Sequence, residues 1–209
     1  TKSLMRRVGV ADIRDGVLSQ FDMVIFPGGS GSKQAAALEE EGREVVKQFV
    51  EAGGGYVGIC AGAFLAASNY SWSLGISNHK TFCETIDVPG IGRKSMWFRG
   101  GSAPVTMELT DEGRTILGDF EGVFEVRYQN GPIMSPMGRE GLGSFRSLAH
   151  FRSEVSKYKP QEGTMINTPA VIVGEFGNGR ILCISPHPES TDALNRLVQN
   201  AVRWTARRR

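Results

Sequence analysis

The chain has 209 residues, 27 of them glycine, about 13% where roughly 7% is usual. Nine prolines and no G-x-y period exclude collagen and a disordered Pro/Gly tract, and 40% hydrophobic with 22% charged residues is the balance of a globular domain with a sizeable core. A net charge of +2, with Arg207–Arg209 as the one basic run, gives no nucleic-acid signature, and no apolar run nears the ~18 residues of a membrane span.

Asp22-Met-Val-Ile-Phe26 is a short apolar run entering Pro27-Gly-Gly-Ser-Gly31, which predicts a buried parallel strand and a loop. From Lys33 to about Ala52 the period turns helical. Leu38, Val45, Val46, Phe49 and Val50 share one stripe, and Gly53–Gly55 supplies the stop. Tyr56–Ile59 then predicts a second strand, followed without pause by a helix over Cys60–Ser68. Strand, helix, strand, helix with short joints predicts a parallel α/β sheet.

Residues 70–168 are less regular. Val105, Met107 and Leu109 alternate as a half-buried strand, Thr110 or Asp111 caps a short helix through Leu117, and Phe124–Tyr128 alternates again. The Pro/Gly/Ser clusters at 89–104 and 130–144 read as loops. Ala170–Phe176 and Arg180–Ser185 flank Asn178-Gly179, a strong hairpin signal. A last helix is predicted from about Thr191 to Thr205, with Leu194, Leu197, Val198, Ala201 and Val202 inward.

Three widely spaced cysteines, Cys60, Cys83 and Cys183, form no C-x-x-C pair, so neither a zinc ribbon, a redox dithiol nor a disulfide framework is expected. No metal-ligand or cofactor motif is identified, and the expected cofactor set is empty. Gly28–Gln34 fails both G-x-x-x-x-G-K-[ST] and G-x-G-x-x-G, so a phosphate cradle is the weaker reading of that loop.

The sharpest feature is Gly58-Ile-Cys-Ala-Gly62, set between strand and helix. A nucleophile on such a turn needs small neighbours, and the first turn of the helix favours a thiolate. Cys60 is the candidate nucleophile. Of the three histidines, His187 lies just past a strand in Pro186-His-Pro-Glu189, where Glu189 can orient the imidazole. His79 and His150 read as structural or exposed. Loops beyond the carboxyl ends of adjacent parallel strands meet in one crevice. One N–H of the Gly28-Gly29 pair and that of Ala61 would there point at a common oxyanion.

Phe26-Pro-Gly-Gly29, the G-x-C-x-G motif and the late His-x-Glu resemble class I glutamine amidotransferase-like proteins. Gly58-Ile-Cys-Ala-Gly-Ala-Phe-Leu-Ala-Ala-Ser68 most resembles the domain at the N-terminus of biotin–protein ligases. The likeness covers about 22–68 and 169–204, with Tyr128-Gln-Asn-Gly131 as a looser match. It implies a flavodoxin-like three-layer sandwich with a mostly parallel central sheet, formed as a single domain over 1–209. It further implies Cys60 as nucleophile, His187 as base, Glu189 as its orienter, the Gly29 and Ala61 N–H groups as the oxyanion hole, and Gly28, Ser30, Phe64 and Asn130 as pocket residues. In that family a strand and helix precede the segment matching Lys2–Ile13. The expectation is therefore an absent upstream piece, or residues 4–13 serving as the first strand.

Family glutaminases usually carry a glutamine where this chain has Phe64, and an apolar ring cannot supply an amide's hydrogen bonds. Glutamine is therefore not the expected substrate. Three readings stand: a cysteine-dependent hydrolase or amidotransferase-like enzyme acting on a small-molecule or peptide-like amide or related carbonyl; a binding domain that keeps the fold without turnover; and a cysteine-elbow hydrolase acting on peptides or aldehydes.

Overall fold

A computed structural model of the chain describes residues 5–96, 102–155 and 163–206. Thr1 and the Arg207–Arg209 run lie outside these. Helix α1 (Val10–Arg14) and a 3-10 turn (Val17–Gln20) lead into strand β1 (Met23–Phe26), so residues 10–14 are helical and do not serve as a first strand. Helix α2 (Gly31–Glu51) follows. Its first turn is capped by the Ser30 hydroxyl, which accepts from the Lys33 N–H at 3.4 Å, and it is kinked at Glu39. Leu38, Val46 and Val50 are fully buried along its inner face, and Gly53, at φ +114, ends it.

Strand β2 (Gly55–Ile59) passes into helix α3 (Ala61–Ala66) through Cys60 alone. The middle of the chain supplies β3 (His79–Thr81), β4 (Glu84–Val88), β5 (Gly92–Met96), β6 (Ser102–Leu109), α4 (Asp111–Leu117), β7 (Val123–Gln129), β8 (Met134–Pro136) and β9 (Arg146–Phe151). Thr110 caps α4 as expected, accepting from the Gly113 N–H at 3.0 Å. β10 (Pro169–Phe176) and β11 (Gly179–Ile184) form the expected hairpin. The turn, however, is Gly177-Asn178, because Phe176 pairs with Gly179. Gly177 takes the positive φ, +58, that the first position of a type II′ turn requires. Two 3-10 turns (Pro188–Ser190 and Asp192–Leu194) precede helix α5 (Asn195–Thr205).

Seven strands form one sheet in the order β1-β2-β11-β10-β9-β6-β7. β1, β2 and β11 run parallel, and every remaining neighbour pair is antiparallel. The sheet is therefore mixed, and the expectation of a mostly parallel one is met only where α2 and α3 cross over. The two-residue turn between β10 and β11 allows only antiparallel pairing, and the order stays antiparallel from there to β7. β3 pairs with β8 and β4 with β5 outside it, in segments expected to be wholly or partly loop.

Both faces of the sheet are covered by apolar side chains. Along β11, Ile181 and Cys183 pack with Val46 and Leu65, whereas Leu182 and Ile184 pack with Leu197 and Ala201. A strand covered on both sides reads as a continuous apolar run rather than an alternation, which is why 180–185 was legible. β9 was not. Its Arg-Ser-Leu-Ala-His-Phe sequence has neither a clean alternation nor a long apolar run, yet Leu148, Ala149 and Phe151 are fully buried.

Candidate active site

The three loops expected to converge do so at the carboxyl ends of the parallel strands. Cys60 sits between β2 and α3 at φ 51, ψ −99, a conformation an L-residue adopts only when its surroundings impose it. Those surroundings are backbone. The Cys60 N–H donates to the Ile184 carbonyl at 2.8 Å, anchoring the turn to β11. A Cβ on Gly62 would stand 2.1 Å from the Phe26 carbonyl oxygen, and one on Gly58 2.5 Å from the Gly62 carbonyl. The two glycines let α3 approach β1 and β2 this closely. Tyr56 locks the elbow from below, its hydroxyl donating to the Gly62 carbonyl at 2.7 Å.

His187 follows β11 directly. Its N–H donates to the Arg127 carbonyl at 2.8 Å, tying the loop to β7. Its Nδ1 is 2.7 Å from Glu189 Oε1, within one 3-10 turn that Pro188 opens. Hydrogen bonding to Cys60 in the first place, and to Glu189 in the second, pushes the His187 pKa up to about 9 against the opposing effect of burial. The imidazolium is thus the favoured form at neutral pH. Gly28 packs on the ring: a Cβ there would lie 2.7 Å from His187 Cε1. Gln34 braces the same loop, its Nε2 donating to the Pro27 carbonyl at 2.8 Å.

A cleft of about 650 Å³ opens over Cys60. Gly29, Ser30, Phe64, Asn130 and His187, all expected, line it. Gly31, Ser32, Tyr70, Trp72, Cys83 and Gln129 line it as well and were not identified from the sequence. Gly28 lies behind the loop, against His187. Ala61 occupies the first position of α3, where an N–H has no partner within the helix. Gly29 has φ +133. Gln129 takes part through its backbone, its carbonyl accepting from Cys60 Sγ at 3.5 Å. No side-chain rule marks such a residue, though the loose 128–131 match had pointed at the segment. Tyr70 and Trp72 stack, ring centroids 4.6 Å apart, and the Tyr70 hydroxyl is 2.7 Å from Thr81 Oγ1.

All three cysteines are free, Cys60 and Cys183 buried and Cys83 exposed. Burial raises the Cys183 thiol far above the usual range. Burial lowers His79 to about 4, and its Nδ1 is 2.9 Å from Ser77 Oγ, so it is a neutral structural histidine. His150 is also lowered, first by burial and then by Arg152. Among the described residues, no group of three or more His, Cys, Asp or Glu is placed to hold a metal ion, and no helix is long and apolar enough to cross a membrane.

Fold and site together define an α/β protein with a mixed sheet and a cysteine at its strand-to-helix elbow. The chain belongs to the biotin–protein ligase N-terminal family, whose model matches residues 15–206. It is 21% identical over 173 residues to a biotin–protein ligase from Schizosaccharomyces pombe, covering 80% of this chain and 25% of that protein. The chain thus spans about a quarter of the curated relative's length. Among solved structures it resembles a thua-like protein from Bacteroides uniformis, with TM-score 0.59 and 16% identity over 95% of this chain and 75% of the other. A cytoplasmic protein from Salmonella typhimurium matches with TM-score 0.57 and 12% identity over 98% and 78%. A beta-galactosidase from Bacillus circulans matches with TM-score 0.50 and 13% identity, where this chain covers 22% of the larger protein. At these identities the likeness is one of fold.

Proposed function

We propose that this domain is a cysteine-dependent acyl-transfer enzyme, a hydrolase or amidotransferase-like protein acting on an amide or related carbonyl, in a flavodoxin-like three-layer setting. One observation carries the reading: the strained Cys60 elbow shares one cleft with a histidine whose Nδ1 is held by Glu189. In the reactive form, Cys60 has passed its proton to His187. The sulfur attacks the carbonyl carbon, and the Gly29 and Ala61 N–H groups receive the oxyanion. As the C–N bond breaks, the imidazolium gives its proton to the departing amine. Water then adds to the thioester while His187 takes its proton, and the acid leaves as the C–S bond breaks, with the sulfur anionic and His187 again protonated.

A second reading, a binding domain without turnover, is favoured by Phe64, since an apolar ring replaces the amide expected of a glutaminase. Alkylation separates the two. Cys83 is the more exposed thiol at the same cleft, so the experiment uses a Cys83→Ser background. Iodoacetamide near neutral pH should label Cys60 selectively over Cys183, and His187→Ala should slow that labelling at least tenfold. Slow labelling of Cys60 that is indifferent to His187 would leave the binding reading.

A further inference from the structure

The cleft has two chemically different ends. The loop over Cys60 spans both: a Cβ on Gly28 would meet His187 at 2.7 Å, whereas one on Gly31 would meet Phe64 Cβ at 3.0 Å and Trp72 Cη2 at 3.2 Å. His187 protonates the departing group in the mechanism above, so that group leaves at the His187 end. The acyl substituent must then extend toward the Gly31 end.

That end is an aromatic wall. Phe64 lies one helical turn beyond Cys60, with its ring centroid 6.4 Å from that of Tyr70. Tyr70 is stacked on Trp72 and pinned through its hydroxyl to Thr81. A wall held this way is preorganised, and flat rings pack on it at little entropic cost. Among the described residues, and apart from His187, no carboxylate, ammonium or guanidinium side chain lines the cleft; its polar lining is hydroxyl, thiol, carboxamide and the Trp72 indole N–H. Arg127, on the strand that carries Gln129, is turned to the Gln129 Oε1 at 2.7 Å and Ser190 Oγ at 3.5 Å. An α-amino acid head group placed here would leave a carboxylate and an ammonium without counter-charges, which is costly when water is displaced.

We infer that the substrate is an uncharged amide or ester whose acyl substituent is a flat apolar group of about one ring, held by Phe64, Tyr70 and Trp72. This inference rests on the acyl-transfer reading, and its test keeps the two apart. The Cys83→Ser chain is given three p-nitroanilides with one leaving group: phenylacetyl, acetyl and γ-glutamyl. Release of p-nitroaniline should be at least tenfold faster, as kcat/KM, for phenylacetyl than for acetyl, and slowest for γ-glutamyl. Trp72→Ala should collapse the phenylacetyl-to-acetyl ratio at least fivefold, and Trp72→Phe should keep it.

Equal rates, or a γ-glutamyl preference, would overturn the inference while leaving Cys60 catalysis standing. If no anilide is turned over, calorimetry with phenylacetamide and with free glutamine decides. Binding of the first alone would uphold the apolar cleft and refute turnover of such amides; binding of neither, or of glutamine, would overturn the inference too.

Discussion

The two halves of the sheet solve different problems. In the parallel half, β1, β2 and β11 run side by side and end together, so the loops that follow them are brought to one place by topology alone. The antiparallel half, β10-β9-β6-β7, sends successive loops to opposite ends of the sheet, and among the described residues it is the end of β7 that reaches the site, with the Gln129 carbonyl beside Cys60. Glycines serve two purposes, and both halves use both. Gly62 stands where backbone meets backbone, as does Gly113 of α4, whose Cβ would lie 1.9 Å from the Leu148 carbonyl oxygen, whereas Gly122, at φ +64, turns in open space before β7.

Four measurements would break or sharpen that contrast, and the first should show the largest effect. Cys60→Ser should reduce any acyl-transfer activity by about 10³-fold or more, because an alcohol in this setting has no comparable nucleophilicity. A smaller loss would mean that the elbow positions something other than the attacking atom. Gly62→Ala should destabilise the fold by on the order of 3 kcal/mol, since the new methyl meets the Phe26 carbonyl rather than a mobile side chain. Gly122→Ala should cost about 1 kcal/mol, through φ alone. Urea unfolding of both variants checks the ratio, and similar losses would erase the distinction between the two kinds of glycine.

The third concerns His79. Its pKa is depressed to about 4 by burial, so from pH 6.5 downward the unfolded chain takes up a proton that the folded chain refuses. Stability from this group is present in full above about pH 6.5 and is lost as pH falls through about 4, by on the order of 3 kcal/mol. Urea titrations at pH 7 and 4.5 should show a smaller drop for His79→Gln than for the unmodified chain. The fourth is a kinetic limb. His187 is raised, so its acid form is present below about pH 9 and lost above it. Amide turnover should fall as pH rises through 9, and Glu189→Gln, removing the second-ranked cause, should move that limb to lower pH. An unmoved limb would show that Glu189 does not set the imidazole's charge.

The same division governs what could be read beforehand. β1, β2, α2 and the β10–β11 hairpin were legible because each is a local pattern: an apolar run, a 3.6-residue stripe, a two-residue turn. β9 was invisible because Leu148, Ala149 and Phe151 are buried by distant parts of the chain rather than marked by a periodicity of their own. Cys60, His187 and Glu189 could be singled out by spacing and flanking residues. Gln129 contributes a carbonyl, which every residue has, and Tyr70 and Trp72 look from their sequence like ordinary loop aromatics.

By itself, then, the sequence determined the glycine-flanked cysteine turn, the helix stripes and the His-x-Glu loop, all set by steric and hydrogen-bonding rules acting over a few residues. Tertiary structure decided where the parallel order stops, which strand closes the site from the far side, and that Phe64, Tyr70 and Trp72 form one wall. Those outcomes depend on which surfaces meet across more than 100 residues of chain in the case of Cys60 and His187, and packing at that range leaves no local signature.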